Sequence, residues 1–199
     1  LGTRQIALDA GLAMLGVRGL NDAGQVLGEA CIIPPGGNGV CGQYLFRDTP
    51  RADGTFDRLR IDNLPGAPAG LSFYPPIMNA SGSVAVTGLP TLSSGGSAHV
   101  YSDAAGWQDL TTMIAGATMT QPRVIDLNDA GQVLMETGYR GATYRLTPGL
   151  GADKLLPDGF SANAMNEHGD ITGCGPSGPF RTENGQVVNL DPAGSLPGA

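Results

Sequence analysis

Asn21-Asp22-Ala23-Gly24, Asn79-Ala80-Ser81-Gly82, Asn128-Asp129-Ala130-Gly131 and Asn166-Glu167-His168-Gly169 are four copies of one pattern, N-x-x-G. Each copy follows apolar residues and precedes a short run of β-forming residues. An asparagine side chain can bond the backbone two residues on, and a glycine can take a positive φ without a Cβ penalty. Each copy therefore predicts a turn between two antiparallel strands, with structural roles for Asn21, Gly24, Asn79, Gly82, Asn128, Gly131, Asn166 and Gly169.

The composition predicts an all-β chain with many turns. The 199 residues are 41% hydrophobic and include 32 glycines and 15 prolines, without a collagen period. No stretch sustains a helical period over three turns, and glycines interrupt the nearest candidate, Leu8 to Leu20. The length suits one domain with a single core or two small ones.

The spacing of the four turns predicts a small β-propeller-like repeat domain of about four four-stranded blades. The spacing decreases along the chain, which fits blades with variable loops better than a solenoid with fixed rungs. Each unit contains a strand A that ends in an aromatic residue, a strand B after a glycine turn, and strands C and D around the N-x-x-G turn. The predicted single domain spans 1–199, with blades at about 43–89, 98–138 and 142–175 and blade halves at 1–33 and 179–191.

The two halves predict a fourth blade closed by N- and C-terminal strands, which would pair otherwise open strand edges. The count leaves one strand B too many, because Gln5-Ile6-Ala7-Leu8 and Gln186-Val187-Val188-Asn189-Leu190 compete for one position. Three explanations stay open. The extra strand extends a blade or lies as coil, the chain is part of a longer propeller, or a terminal segment is donated to a neighbouring subunit to build a fibre.

The repeat resembles that of the bacterial HAF-repeat (probable extracellular repeat) proteins. The similarity lies in Leu20-Asn21-Asp22-Ala23-Gly24-Gln25-Val26-Leu27-Gly28, in Trp107-Gln108-Asp109-Leu110 and in Leu127-Asn128-Asp129-Ala130-Gly131-Gln132-Val133-Leu134. Strand A lacks the family's usual tryptophan, and Met135-Glu136 replaces the expected small residues of the third unit. The resemblance implies secreted, propeller-like repeats without a general enzymatic activity.

Charge and chain start bear on location and partners. The net charge is −7 and Lys154 is the only lysine, which argues against nucleic acid and anionic membrane surfaces as partners. No run reaches the length of a membrane span. The chain starts Leu1-Gly2-Thr3 without Met, which predicts a processed or truncated product. The resemblance implies a location at the cell surface or outside the cell.

Three cysteines offer one candidate disulfide. Cys31 and Cys41 flank a Pro-Pro-Gly-Gly-Asn-Gly loop, and a bridge between them would imply an oxidising compartment. Two free thiols are the alternative. Cys174 has no evident partner and is interpreted as a small buried hydrophobe or an inter-chain thiol.

No catalytic, cofactor or metal site is predicted. The carboxylates, among them Asp22, Asp126 and Asp129 at the turns, lack the regular spacing of a calcium loop, so calcium is unsupported. His99 and His168 adjoin no nucleophile elbow, and no phosphate-binding glycine motif occurs. An acid–base carboxylate pair stays open because such pairing is spatial.

The aromatic residues leave a carbohydrate-binding alternative. They recur at one place in the repeat, which favours a core set between blades over an exposed sugar-stacking set: Tyr44, Phe46, Tyr101, Tyr144 and Phe180. Trp107, Phe73 and Tyr74 are less regular and are candidates for exposure. Asn79-Ala80-Ser81 is also a glycosylation sequon, although the repeat turn explains it without a sugar.

The sequence thus favours a non-enzymatic extracellular structural or interaction module whose partner is protein, including itself, assembled into a surface fibre by terminal strand exchange. A glycan-binding propeller module is the alternative, and a hydrolase ranks third.

Overall fold

The computed structural model describes residues 12–32, 42–68, 75–88, 96–116, 121–138 and 141–191. In this part of the chain, sixteen strands form four antiparallel four-stranded sheets, each of which we call a blade. The prediction of an all-β, propeller-like repeat with about four four-stranded blades is confirmed.

The strands of each blade follow one another in the chain. Blade 1 contains β1 (Leu12–Leu20), β2 (Val26–Ile32), β3 (Gly42–Pro50) and β4 (Phe56–Arg60). Blade 2 contains β5 (Ile77–Met78), β6 (Val84–Gly88), β7 (Ser97–Ser102) and β8 (Gly106–Asp109). Blade 3 contains β9 (Arg123–Leu127), β10 (Val133–Glu136), β11 (Thr143–Thr147) and β12 (Gly151–Leu156). Blade 4 contains β13 (Ser161–Met165), β14 (Ile171–Gly175), β15 (Gly178–Glu183) and β16 (Gln186–Asn189).

The predicted division of the chain into blades is wrong in phase. Each blade begins with the strands around the N-x-x-G turn, so the described strands of the two predicted halves, β1 and β2 at one end and β15 and β16 at the other, belong to separate sheets. The cause lies in the connections. The link from β14 to β15 is a two-residue hairpin, Pro176-Ser177, whereas the longer links after β4 and β8 contain 3₁₀ turns and cross to the next blade. In this phase the described strands fill four blades without a surplus, and Gln5–Leu8 lie outside the described residues.

Burial shows how the blades stack. Every residue of β6 and β10 is buried on both faces, as expected for strands that are covered by a blade on each side. In β14 buried and exposed residues alternate over Ile171–Cys174, so only one face of blade 4 is covered. We call the side of a blade toward the preceding blade its front face and the side toward the next blade its back face.

Apolar side chains fill the three junctions between successive blades. Leu27 and Leu45 meet Val84 and Tyr101 between blades 1 and 2. The other two junctions are built in the same way: Ala85, Val100, Leu127, Val133 and Met135 between blades 2 and 3, and Leu134, Leu156, Ala162, Met165 and Phe180 between blades 3 and 4. Burial of these side chains supplies the main force that holds the blades together.

The innermost strands follow chain order. β1 packs beside β5, β5 beside β9, and β9 beside β13. Among the described strands, β13 and β1 make no contact of this extent, and Leu20 on the front face of blade 1 and Thr172 on the back face of blade 4 are exposed. The four described blades therefore form an open arc.

Candidate functional site: the junctions between blades

The four N-x-x-G turns have the same geometry. In each turn the glycine N–H donates to the asparagine carbonyl at 2.9–3.0 Å, and the glycine φ lies between +74° and +82°. The asparagine Oδ1 accepts the N–H of the residue four positions on, at 2.9 Å in every copy. The expected bond two residues on is also made at Asn166, whose Oδ1 accepts the N–H of His168. Side chain and glycine thus close each hairpin together.

The asparagine amides connect one blade to the next. Asn21 Nδ2 donates to the carbonyls of Asn79 at 3.3 Å and Ala80 at 3.1 Å. Asn79 Nδ2 donates to the Asn128 carbonyl at 2.9 Å, and Asn128 Nδ2 donates to the Asn166 carbonyl at 3.2 Å. Tertiary structure therefore brings the predicted turn residues together, and their hydrogen bonds form a chain from blade 1 to blade 4. We call this chain the asparagine ladder.

The second residue of each turn adds a parallel contact. The N–H of Ala80 donates to the carboxylate of Asp129 at 2.6 Å, and the N–H of Asp129 donates to that of Glu167 at 2.8 Å. In both cases the acceptor belongs to the following blade. These two turn carboxylates therefore bind backbone N–H groups of the preceding turn.

At two junctions the residue eight positions after the asparagine accepts a hydrogen bond from the innermost strand of the next blade. Thr87 Oγ1 accepts the Val124 N–H at 2.8 Å, and Glu136 Oε1 accepts the Ala162 N–H at 2.9 Å. Both acceptors are buried, and unpaired polar atoms there would cost stability.

The junction between blades 1 and 2 departs from this pattern. Glu29 holds the eighth position and is buried, and its Oε2 accepts from Arg18 at 2.8 Å. Its Oε1 has no hydrogen-bond partner. The residue that corresponds to Val124 and Ala162 is Pro75, which has no N–H to donate, and this accounts for the unpaired oxygen.

A buried arginine also crosses this junction. Arg47 Nη1 donates to the Gly82 carbonyl at 2.6 Å, and Nη2 donates to both carboxylate oxygens of Asp103 at 2.8 and 2.9 Å. The Tyr101 hydroxyl donates to the same carboxylate at 2.9 Å. Burial, and then this hydrogen bond, raises the pKa of Tyr101. The group positions the second turn against blade 1.

The two histidines lie apart in the fold and in different blades. His99 is on β7, where its ring meets Trp107 edge to face, and burial lowers its pKa although Asp109 opposes the shift. His168 is exposed in the fourth turn. Among the described residues, no cluster of three or more His, Cys, Asp or Glu side chains could hold a metal ion. Across the same residues no helix is long and apolar enough to cross a membrane.

The cysteine and sequon predictions have different outcomes. Cys41 and the Cys31 side chain lie outside what the structure describes, so the disulfide stays a prediction. Cys174 is a free, exposed thiol, so the interpretation of it as buried is wrong. It sits on the uncovered back face of blade 4, at the eighth position after Asn166. Asn79 is buried, and its amide serves the ladder, so the turn fully explains the sequon.

The strand A aromatics face the core. Tyr44, Phe46, Tyr101 and Phe180 are buried, and Tyr144 is half-buried. They do not all share one repeat position. Three of them are cross-strand partners of the residue seven positions after an asparagine: Phe46, Tyr144 and Phe180. In blade 2 that position is held by His99, and Tyr101 lies two residues further along the strand. Trp107 is half-buried and donates to the Ile61 carbonyl at 3.0 Å, while Phe73 and Tyr74 lie outside the described residues.

A polar cleft of about 410 Å³ lies between blades 3 and 4. Its lining includes Arg145, His168, Asp170 and Asn184. Arg145 pairs with Asp153 at 3.2 Å, and its buried Nε has no partner. Such a cleft can bind hydroxyl-rich molecules, although it lacks the aromatic ring expected of a sugar-stacking site.

Comparisons with known proteins leave the chain without an assigned family. No family model matches it, and no curated protein shows significant similarity. Virginiamycin B lyase from Staphylococcus aureus is a structural neighbour at 11% identity and a TM-score of 0.44, over 88% of this chain and 68% of that one. A likeness this distant carries no argument about chemistry.

Sequence reasoning located the turns but missed that the asparagine amides bind the next blade. It also missed the buried acceptors Thr87 and Glu136. A signal was present, because the eighth residue after the first three asparagines is polar within an otherwise apolar strand.

Proposed function

We propose that this chain is a non-enzymatic structural or interaction module of the HAF-repeat type that works at the cell surface or outside the cell. The observation that carries the proposal is the use of its polar groups. The turn asparagines, the buried Glu136 and the Arg47–Asp103 pair all bond backbone or side-chain atoms in the blade junctions. These groups stabilise a scaffold, and the module acts through its surfaces.

Two measurements test this proposal. Fractionation of cells of the native organism, with an antibody against the chain, should find it in the medium or on the cell surface. Incubation with panels of ester, glycoside, peptide and lactone substrates should give no turnover above that of a heat-denatured sample. A cytoplasmic protein would overturn the location, and turnover that disappears on substituting one residue would overturn the non-enzymatic role.

A second candidate is glycan binding in the cleft between blades 3 and 4. The observation in its favour is the convergence of Arg145, His168 and Asn184 on a space large enough for a sugar unit. A glycan array should give hits that weaken at least about fivefold in His168→Ala, because one polar contact is worth about 1 kcal/mol or more. Lys154→Ala, an exposed change outside the cleft lining, is the matched control. An array without hits removes this candidate.

A further inference from the structure

The back face of blade 4 carries unused parts of a blade junction. Asn79 and Asn128 are buried and bind the next turn, whereas Asn166 is exposed and its amide, among the described residues, reaches only Asp170 of its own turn, at 3.5 Å. Thr172 is exposed at the position where the three preceding blades have a fully buried Leu or Ala. Arg181, at the position of Arg47, pairs with Glu183 of its own strand instead of reaching another blade.

The front face of blade 1 carries the complementary groups of a blade junction. Leu20 precedes the first turn and is 72% exposed, whereas the corresponding Leu127 and Met165 are 5% and 8% exposed because a preceding blade covers them. Val17 is 52% exposed, and the corresponding Ala162 is fully buried. Leu20 is thus more exposed than the residue before any of the three later asparagines, and Val17 is more exposed than Val124 and Ala162.

The two end faces complement each other group by group. In the internal junctions the residue before the asparagine packs against the residue six after the preceding asparagine, as Met165 does in the cluster with Leu134. A groove of about 310 Å³ on blade 4, whose lining includes Asn166, Thr172 and Arg181, provides the corresponding space for Leu20. Asp22 is exposed at the turn position whose carboxylate, in Asp129 and Glu167, accepts an N–H from the preceding turn.

We propose that the back face of blade 4 binds the front face of blade 1 of a second copy of this chain. The contact would extend the asparagine ladder from Asn166 to Asn21 of the second copy and would bury Leu20 in the groove. Because the two surfaces differ, the contact is head-to-tail. Two copies with both contacts form a ring of eight blades, within the roughly four to eight of known propellers.

This mode replaces terminal strand exchange by the stacking of blade faces. It rests on the proposed interaction role and names the partner. Thr172 and Arg181 keep the free face polar, which suits a reversible contact between copies rather than a permanent one.

The experiment is analytical ultracentrifugation of the purified chain over a concentration series. The wild type should shift from 20.3 kDa to twice that mass as concentration rises. Leu20→Asp on the front face and Thr172→Asp on the back face should each weaken association at least about tenfold, because each would remove a carboxylate from water when the two faces meet. Leu150→Asp, the same change at an 86% exposed leucine in the turn before β12, is the matched control and should associate like the wild type.

Mixing distinguishes head-to-tail contact from other modes. Leu20→Asp keeps an intact back face and Thr172→Asp an intact front face, so an equimolar mixture should form a dimer through one junction. Thermal melts that match the wild type at a concentration where the wild type is monomeric confirm that both variants fold. A wild type that stays monomeric at the highest concentration, association unaffected by either variant, or a mixture that stays monomeric overturns the inference. The fractionation and turnover assays decide the proposed function separately.

Discussion

Because of the asparagine ladder, the same Asn→Ala substitution should lower the free energy of unfolding by different amounts in different copies of the repeat. Asn79 is buried, and its Oδ1 accepts the Ser83 N–H at 2.9 Å and the Ser81 hydroxyl at 2.8 Å while its amide donates to Asn128. Asn166 is exposed and makes the bonds of its own turn without a link to a following blade. Asn79→Ala and Asn166→Ala therefore separate the turn contribution from the ladder contribution.

The magnitudes follow from the number and burial of the bonds. A hydrogen bond contributes about 1 kcal/mol net, and a buried group left without its partner costs about 1–3 kcal/mol. Asn79→Ala removes three bonds and leaves the buried Asn128 carbonyl without the amide, so we expect a loss of about 3 kcal/mol. Asn166→Ala should cost about 1 kcal/mol, since water reaches the freed N–H groups. The difference of about 2 kcal/mol is about a thirtyfold change in the unfolding equilibrium.

Urea unfolding of both variants measures this difference. Trp107 is the only tryptophan, and its hydrogen bond to Ile61 joins blades 2 and 1, so its fluorescence reports their separation. Far-UV circular dichroism on the same samples tests whether the blades unfold together. The isosteric Asn79→Asp keeps the turn acceptor and loses the donor, so it should destabilise more than Asn166→Asp. Equal costs for the two alanine variants would refute a stabilising role for the ladder.

Three further predictions concern the blade interiors. Gly28→Ala should cost about 1–3 kcal/mol, measured by thermal melting, because a Cβ there would lie 2.3 Å from the ring of the buried Phe46. Asp103→Asn should cost about 2 kcal/mol in urea unfolding, because it removes the countercharge from the buried Arg47. Burial holds the pKa of His99 below 6.5, so the unfolded chain binds a proton more readily than the folded protein does. The free energy of unfolding should therefore fall as pH drops from about 6.5 through the lower folded-state pKa. His99→Gln should lose that part of the pH dependence.

Matched controls accompany these predictions. Gly16 is also a strand glycine, but a Cβ added there would lie 3.8 Å from its nearest atom. Gly16→Ala should therefore lower the free energy of unfolding by less than about 1 kcal/mol. Asp153→Asn removes an exposed partner of Arg145 and should change stability by less than about 1 kcal/mol. If Gly16→Ala matched Gly28→Ala, if Asp153→Asn matched Asp103→Asn, or if the His99→Gln and wild-type pH profiles ran parallel, the corresponding argument would fail.

The fold was predictable from sequence because its signals are local. A turn with Asn at the first position and a positive-φ glycine at the fourth depends on a few neighbouring residues, and four copies with β-forming flanks indicate a repeated hairpin. The phase of the blades was not predictable in this way, because either connection between hairpins could have been the crossover. The two-residue link at Pro176-Ser177 was the available clue, since a link of this length joins neighbouring antiparallel strands.

The sequence alone determined the turn chemistry, the all-β class and the absence of a recognisable catalytic signature. Tertiary structure decided what the turn asparagines do with their second polar group, because residues 38 to 58 positions apart in sequence must meet before an amide can bond the next carbonyl. It also decided that the ladder ends at the exposed Asn166 and that Leu20, beside the first turn, is exposed. Stacking buries a residue only where a neighbouring blade covers it, and the pattern of a single blade does not contain that information.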